Sequence, residues 1–237
     1  MLQLTVLISG SGSNLQSLIN CQKDGQLKGK ITQVISSSSK AYGLTRAQEA
    51  DIPTKSHELK TYYKGIPKEN KEERLQAREV FNKELANLII FGNVKGEPQS
   101  DYTKPDLIVC AGWMLILSPT VLKPLEEHGI TIINLHPALP GAFDGTHAIE
   151  RAWKAGQDGE ITQAGIMIHK VITEVDRGQP ILVKYLDIIK GETVEDYEER
   201  VHKLEHIAIV EATNITLTKL QNDDINIVKG LEKIEII

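Results

Sequence analysis

Asn134-Leu135-His136-Pro137 closes the run Ile130 to Leu135, which reads as a buried strand. Alternation along a strand puts Asn134 and His136 on the same side of the chain. Strand ends at the carboxyl edge of an α/β sheet are where ligands sit. An asparagine amide can donate to a developing oxyanion, and a histidine can give or take a proton near neutral pH. The same residues also suit a capped strand end with a hydrogen-bonded histidine. Further on, Glu174-Val175-Asp176-Arg177-Gly178 follows a second strand-like run, Gly165 to Val171. An acid close to His136 could fix its tautomer and hold its proton, the logic of a catalytic dyad. An ordinary turn with solvated charges is the plainer alternative, and sequence does not bring Asp176 and His136 together.

Gly10-Ser11-Gly12-Ser13-Asn14 lies between a strand and a helix. Glycines let a backbone approach a ligand, and free N–H groups at a helix start favour phosphate. A tight turn without a ligand fits equally well. A dinucleotide fingerprint would need a third glycine where Leu15 stands and an acid after the second strand, where Ser36 to Ser39 stand, so NAD is disfavoured. No Gly-Lys-Ser/Thr follows, which excludes a Walker loop. His202-Lys203-Leu204-Glu205-His206 fits an inverted zinc-protease pattern. A catalytic zinc needs a third protein ligand, and little chain remains after His206, so a helix face lining a polar cleft is the favoured reading and no metal is expected.

The elements that must hold these groups alternate along the chain. Strands are expected at Gln3–Ser9, Ile31–Ile35, Asp106–Ala111, Ile130–Leu135, Gly165–Val171 and Ile181–Leu186. Helices are expected at Leu15–Lys23 (capped by Ser13 or Asn14), Tyr42–Ala50, Asn70–Phe91, from Ser118-Pro119, at Thr146–Ala155 and from Thr193 to about Leu220. In the third of these, Asn70 with Glu73 makes a capping box, and Leu75, Phe81, Leu85, Leu88 and Ile89 form an apolar stripe. The alternation predicts an α/β fold, a mostly parallel twisted sheet with helices on both faces. Residues 1–237 read as a single domain, with a polar surface insertion at about 92–105 and a tail or edge strand at about 221–237. Cys110, inside an apolar strand, is expected to be an inert buried thiol.

The net charge of −5 offers no basic excess for nucleic acid. Two cysteines far apart give neither a disulfide framework nor zinc spacing and suit a reducing compartment. No apolar run approaches the roughly 20 residues that span a bilayer, and the N-terminus does not read as a signal peptide. The expectation is a cytoplasmic protein acting on small molecules.

Taken in order, VLISGSGSNLQSLI, AGWMLILSP, NLHPALPG, EVDRGQPI and RVHKLEHIAI resemble the glycinamide ribonucleotide formyltransferases, folate-dependent enzymes of purine synthesis. The resemblance runs from about residue 4 to about residue 217 and looks closest to the monofunctional fungal members. It implies the Rossmann-like formyltransferase fold, 10-formyltetrahydrofolate as co-substrate with neither metal nor NAD, and a monomer or weak homodimer. It implies that Gly12, Ser13 and Asn14 hold the substrate phosphate and that Asn134, His136 and Asp176 are catalytic. It further implies that His202 and Glu205 contact the amine substrate and that Arg78, Met114, Leu115, Ile116, Leu117, Thr173, Glu174 and Val175 contact the folate. Asp176 is expected to hold His136 protonated, because a neighbouring carboxylate raises a histidine pKa. The chain departs from the family at HPALPGAFDG, at Arg177-Gly178 where Gly-Gly is frequent, and at the 92–105 loop.

Rival readings are a methionyl-tRNA formyltransferase, a formyltetrahydrofolate hydrolase, and a non-catalytic phosphosugar- or folate-binding protein. The first two carry an extra domain for which this length is expected to leave no room, and the acidic balance disfavours tRNA. Asn134, His136 and Asp176 speak against the third.

Overall fold

The computed structural model describes residues 1–232, with side-chain surroundings through Asp223. In chain order the elements are β1 (Gln3–Ile8), α1 (Ser13–Lys23), β2 (Lys30–Ser36), α2 (Tyr42–Glu49), β3 (Thr54–Ser56), α3 (Leu59–Tyr62), α4 (Lys71–Phe91), β4 (Leu107–Cys110), α5 (Pro119–Glu127), β5 (Thr131–His136), α6 (Ala148–Asp158), β6 (Gln163–Lys170), β7 (Pro180–Asp187) and α7 (Val194–Glu232). One seven-stranded sheet has the order β3-β2-β1-β4-β5-β6-β7. The strands from β3 to β5 pair in parallel, while β6 pairs antiparallel with β5 and β7 with β6. This is the mostly parallel sheet that the alternation of elements predicts.

The apolar strands are buried on both faces, which is why they read as continuous runs. Leu107 and Val109 of β4 enter one core with Leu15 and Leu18 of α1, Ala152 of α6, and Tyr197, Val201 and Ile209 of α7. Ile108 and Cys110 alternate into the other core, with Phe81, Leu85 and Ile89 of α4 and Val121 and Leu125 of α5. Burial pushes the Cys110 thiol up to about 12, so it stays protonated and inert. Beyond β1 the chain moves outward to β2 and β3, then returns across β1 to lay down β4 and β5. The loops after β1 and β4 therefore diverge at a topological switch point, where α/β sheets bind ligands.

Several expectations need correction. No side chain of Ser13 or Asn14 caps α1; Gly12, left-handed at φ 72°, takes the N-cap position. Leu75 leaves the stripe of α4 and is 61% exposed, because the buried face of that helix begins only at Phe81. The chain at 221–232 forms neither tail nor edge strand but continues α7. Nothing between Gln221 and Lys229 is proline or glycine, so no helix stop is encoded there. The rest of that call, residues 233–237, lies outside the described residues. The short β3 and α3 were not anticipated. At α4 half of the expected capping box forms: Asn70 Oδ1 accepts from the Glu73 amide at 3.2 Å, but the Glu73 carboxylate accepts from Asn70 Nδ2 at 2.7 Å rather than from the Asn70 backbone N–H, which bonds the Pro67 carbonyl at 3.2 Å. Thr193 likewise accepts from the Asp196 amide at 3.1 Å to start α7.

The 92–105 stretch joins α4 to β4 as an irregular loop held by its own hydrogen bonds. Asn93 Nδ2 donates to the Glu97 carbonyl at 2.6 Å, and Tyr102 donates to the Ile89 carbonyl at 2.6 Å.

Candidate active site

β5 supplies the centre of the cleft. Ile133 and Leu135 enter the first core, so Asn134 and His136 share the opposite side of the strand, as alternation requires. Antiparallel register sets Asn134 against His169 of β6 and His136 against Met167. The loop after β6 then returns Asp176 to the same place. Its carboxylate lies 3.5 Å from His136 Nδ1 through one oxygen and 3.5 Å from His169 Nε2 through the other. Asn134 Nδ2 is 3.3 Å from His169 Nε2. The structure thus joins Asn134, His136 and Asp176, which sequence could not do.

Two features hold Asp176 in this position. Its backbone is left-handed at φ 55°, an uncommon conformation that aspartate tolerates better than most residues. The Gly145 amide donates to its Oδ2 at 3.0 Å. Gly178 fits close behind: a Cβ there would sit 1.6 Å from the Lys170 carbonyl oxygen, so only glycine is admitted. Arg177, a departure from the family pattern, pairs with Asp144 at 2.5 Å and ties the 173–178 loop to the loop after β5.

The electrostatics correct one expectation. Burial pulls the His136 pKa below the ordinary histidine range; Asp176 opposes this, His169 adds to it, and the Phe143 carbonyl and Asp144 oppose it weakly. Desolvation wins, so His136 is neutral in the ligand-free protein and Asp176 does not hold it protonated. For Asp176, burial pushes upward, but the hydrogen bonds from His169 and the Gly145 amide, with the nearby histidines, bring the carboxyl below its usual range. His169 and the Gly145 amide lower it without help from His136, so Asp176 is an anion at neutral pH. His136 Nε2 is buried and has no protein partner. It is the ring nitrogen free to meet a reacting oxygen.

His169 is the site residue that sequence reading missed. It is 2% exposed, and its Nδ1 faces the Lys170 carbonyl at 2.8 Å, so that nitrogen carries a proton. Its Nε2 lies between Asn134 Nδ2, at 3.3 Å, and the Asp176 carboxylate, at 3.5 Å. The available signal was a lone histidine ending the apolar run AGIMIH just before the Asp176 loop.

The loop after β1 forms the second wall. With no side chain capping α1, the amides of its first turn stay free for an anion. Gly12 lies so close to α2 that a Cβ would meet Gly43 Cα at 2.5 Å. Arg46 of α2, also missed, donates from Nε to the Ser11 carbonyl at 2.9 Å and from Nη1 to Gln16 Oε1 at 3.0 Å. Asn14 Nδ2 donates to Glu205 of α7 at 3.1 Å. Burial raises the Glu205 pKa, Asn14 and His202 oppose it, and Glu198 adds to it. His202 stands one turn from Glu198, at 3.8 Å. Glu205 is thus turned to the phosphate loop rather than toward a metal; among the described residues no cluster of His, Cys, Asp or Glu has a metal-holding arrangement.

The residues assigned to the folate divide by position. The loop after β4 is fixed by the Met114 amide, which donates to Ser9 Oγ at 2.9 Å. Met114 and Ile116 are exposed, Leu115 is half-buried, and Leu117 is buried in the second core. Thr173, Glu174 and Val175 are exposed on the loop that carries Asp176. Arg78 stands apart on α4, next to Glu79, whose carboxylate accepts from Thr120 at the start of α5. His147 takes the N-cap position of α6 in a left-handed conformation and pairs with Glu150 at 3.1 Å.

The fold agrees with the comparisons to known proteins. The phosphoribosylglycinamide formyltransferase of Saccharomyces cerevisiae is 55% identical over 225 residues, 93% of this chain and 99% of its own length. That of Schizosaccharomyces pombe is 48% identical, covering 91% and 97%. The crystal structure of glycinamide ribonucleotide transformylase 1 from Symbiobacterium toebii superposes with a TM-score of 0.73 at 30% identity, covering 92% of this chain and 89% of that one. The family model described as formyl transferase matches residues 2–213. The chain belongs to the formyl transferase family.

Proposed function

We propose that this chain transfers a formyl group from 10-formyltetrahydrofolate to the primary amine of N1-(5-phosphoribosyl)glycinamide, a step of de novo purine (IMP) biosynthesis. The observation that carries this is His136: its Nδ1 faces an anionic Asp176, while its buried Nε2 stands unpartnered beside Asn134. Free amides at Gly12, Ser13 and Asn14 suit the ribose phosphate, and Glu205 with His202 suits the ribose or amine. The exposed apolar Met114 and Ile116, with Thr173 to Val175 and Arg78, suit a folate. The relatives carry this activity in their names.

The amine nitrogen attacks the formyl carbon, and the C=O electron pair moves onto oxygen. Asn134 Nδ2 and His136 Nε2–H stabilise that oxyanion. His136 begins neutral, with its proton on Nδ1 facing Asp176. Asp176 fixes the ring and, through water, takes the proton the new ammonium releases and relays it to His136 Nε2, whose N–H then faces the oxyanion as negative charge grows. The tetrahedral intermediate then returns its electron pair to the carbonyl, the bond to folate N10 breaks, and N10 takes that same proton from His136. Holding two substrates together supplies much of the remaining acceleration. Neither metal nor NAD enters any step. We read residues 1–237 as one formyltransferase domain, acting in the cytoplasm on small molecules as a monomer or weak homodimer. The single sheet supports this, and among the described residues no helix is long and apolar enough to cross a membrane.

The test mixes the purified chain with glycinamide ribonucleotide and a 10-formyl folate and follows the deformylated folate by absorbance. Turnover that needs the amine and drops about 10²-fold or more in His136→Ala is expected. Turnover without the amine would make the protein a hydrolase.

A further inference from the structure

Ser9 is the first residue past the end of β1, and the reaction above does not use it. β1 lies between β2 and β4 in the sheet, so Ser9 stands at the switch point with the end of a parallel strand on either side. Its hydroxyl meets both neighbours. The Met114 amide, beyond the end of β4, donates to Ser9 Oγ at 2.9 Å. Ser37 Oγ, just past β2, donates to the same oxygen at 2.6 Å, which uses both of its lone pairs. Backbone bonds hold the base of this arrangement: the Ser37 amide donates to the Ile8 carbonyl at 3.0 Å and the Ala111 amide to the Leu7 carbonyl at 2.9 Å. The loops on the two sides are held differently. After Ser9, the Gly10 carbonyl accepts from the Gly43 amide at 3.1 Å and the Ser11 carbonyl from Arg46 at 2.9 Å, so α2 pins the loop after β1. The loop after β4 leaves the sheet through Gly112, left-handed at φ 85° with open space around it. Trp113 and Leu117 anchor its ends in the second core, while Met114 and Ile116 between them are exposed. Among the described residues, the bond to Ser9 is the one hydrogen bond that 112–117 make to another part of the chain.

We propose that Ser9 is a positioning residue that couples the two substrate sites: through its hydroxyl, the placement of the donor loop, Met114 to Leu117, follows that of the loop that holds the amine substrate. This rests on the two-substrate reading of the cleft proposed above. A hydrogen bond is directional and weakens steeply as its angle departs from linear. The bond from Met114 to Ser9 therefore forms at one relative placement of the two loops. A substrate that fixes either loop in that placement leaves less ordering for the second substrate to bring about, so the second binds more tightly. Linkage makes the effect reciprocal. Ser37 reinforces it, because its hydroxyl holds the Ser9 side chain from the β2 side.

The experiment measures the Kd of glycinamide ribonucleotide by titration calorimetry, with and without saturating tetrahydrofolate, the deformylated product, which fills the donor site without reacting. In the intact chain the amine substrate is expected to bind about fivefold more tightly with tetrahydrofolate present, the share of one neutral hydrogen bond. In Ser9→Ala the two values agree within about twofold, and the donor KM rises about threefold to tenfold. The Kd of the amine substrate alone stays as it was. Ser9→Thr keeps the hydroxyl and retains the coupling, and Ser37→Ala weakens it by less than Ser9→Ala does. Circular dichroism checks that each variant is folded. Deuterium exchange on the intact chain needs no variant: glycinamide ribonucleotide alone slows exchange of the Met114 amide. Equal Kd values in the intact chain, or coupling that survives in Ser9→Ala, would overturn the proposal and leave the reaction standing. So would a Met114 amide whose exchange ignores the amine substrate. Absence of formyl transfer with both substrates present would overturn the reading of the cleft, and this proposal with it.

Discussion

Replacing Asp176 with asparagine keeps the shape of the side chain and removes its charge. The Gly145 amide at 3.0 Å can still be accepted by the amide oxygen, so the loop keeps its course. What is lost is the acceptor for the released proton and the anion facing His136. Asp176→Asn is therefore expected to lower kcat by about 10²-fold or more while the donor KM changes by less than about threefold. Steady-state kinetics with each substrate varied would show it, and an equal loss in kcat and donor binding would remove Asp176 from the chemistry. Asn134, His136 and Asp176 were legible because unusual residue types sit at a strand end and a loop. Their mutual distances were not, since only the antiparallel return of β6 brings them together. His169 escaped notice for the same reason: its meaning comes from the residue opposite it on β5. The charge of His136 was misjudged because a carboxylate is visible in sequence and desolvation is not.

Elements were legible where their signals are local. The N-cap at Asn70 and the apolar runs of β1, β4 and β5 need no tertiary context, and the structure reproduces them. β3, with three residues, and α3, with four, are too short for periodicity to reveal. The cap of α1 was misread because Ser13 and Asn14 are good capping residues, yet the approach of α2 requires glycine at position 12. That packing makes a sharp prediction. Gly12→Ala puts a Cβ about one ångström inside contact with Gly43 and costs about 1–2 kcal/mol for a left-handed alanine. Its KM for the amine substrate should rise at least about tenfold, with the donor KM nearly unchanged. Arg46→Ala, which frees the Ser11 carbonyl without adding bulk, should move the same parameter in the same direction by less. A rise in donor KM alone would mean that the loop after β1 does not hold the amine substrate. Asn70→Ala tests local stability instead: losing the cap should cost about 1 kcal/mol, read as a lower thermal midpoint with kinetics unchanged.

At the scale of the whole molecule, a sheet covered on both faces buries histidines in several places. His57 stacks on Phe81, with ring centroids 4.4 Å apart, and donates from Nε2 to the Phe81 carbonyl at 2.8 Å. His136 lies in the cleft and His206 on α7. In all three, burial is the largest cause of a pKa below the ordinary value. The sign of the linkage follows. A histidine with a lowered folded pKa binds fewer protons in the folded state than in the unfolded one, so stability rises with pH across that interval. Their contribution is complete above about pH 6.5 and is lost as the pH falls below it. Asp176, also lowered, loses its contribution only below the ordinary carboxylate range, well to the acid side. Net charge argues the other way: the chain is at −5 near neutrality with a pI of about 5.8, so acidification to that point relieves self-repulsion and should stabilise the fold. The two effects have opposite signs between pH 7.5 and 5.8, and a measured thermal midpoint decides between them. Desolvation of buried groups outweighs exposed charges screened by salt, so the midpoint should fall by several degrees across that interval. His57→Phe, which keeps the stacking and removes the titrating ring, should flatten the slope without affecting turnover. A midpoint that holds or rises toward pH 5.8 would mean that the buried histidines take up their protons inside the folded chain.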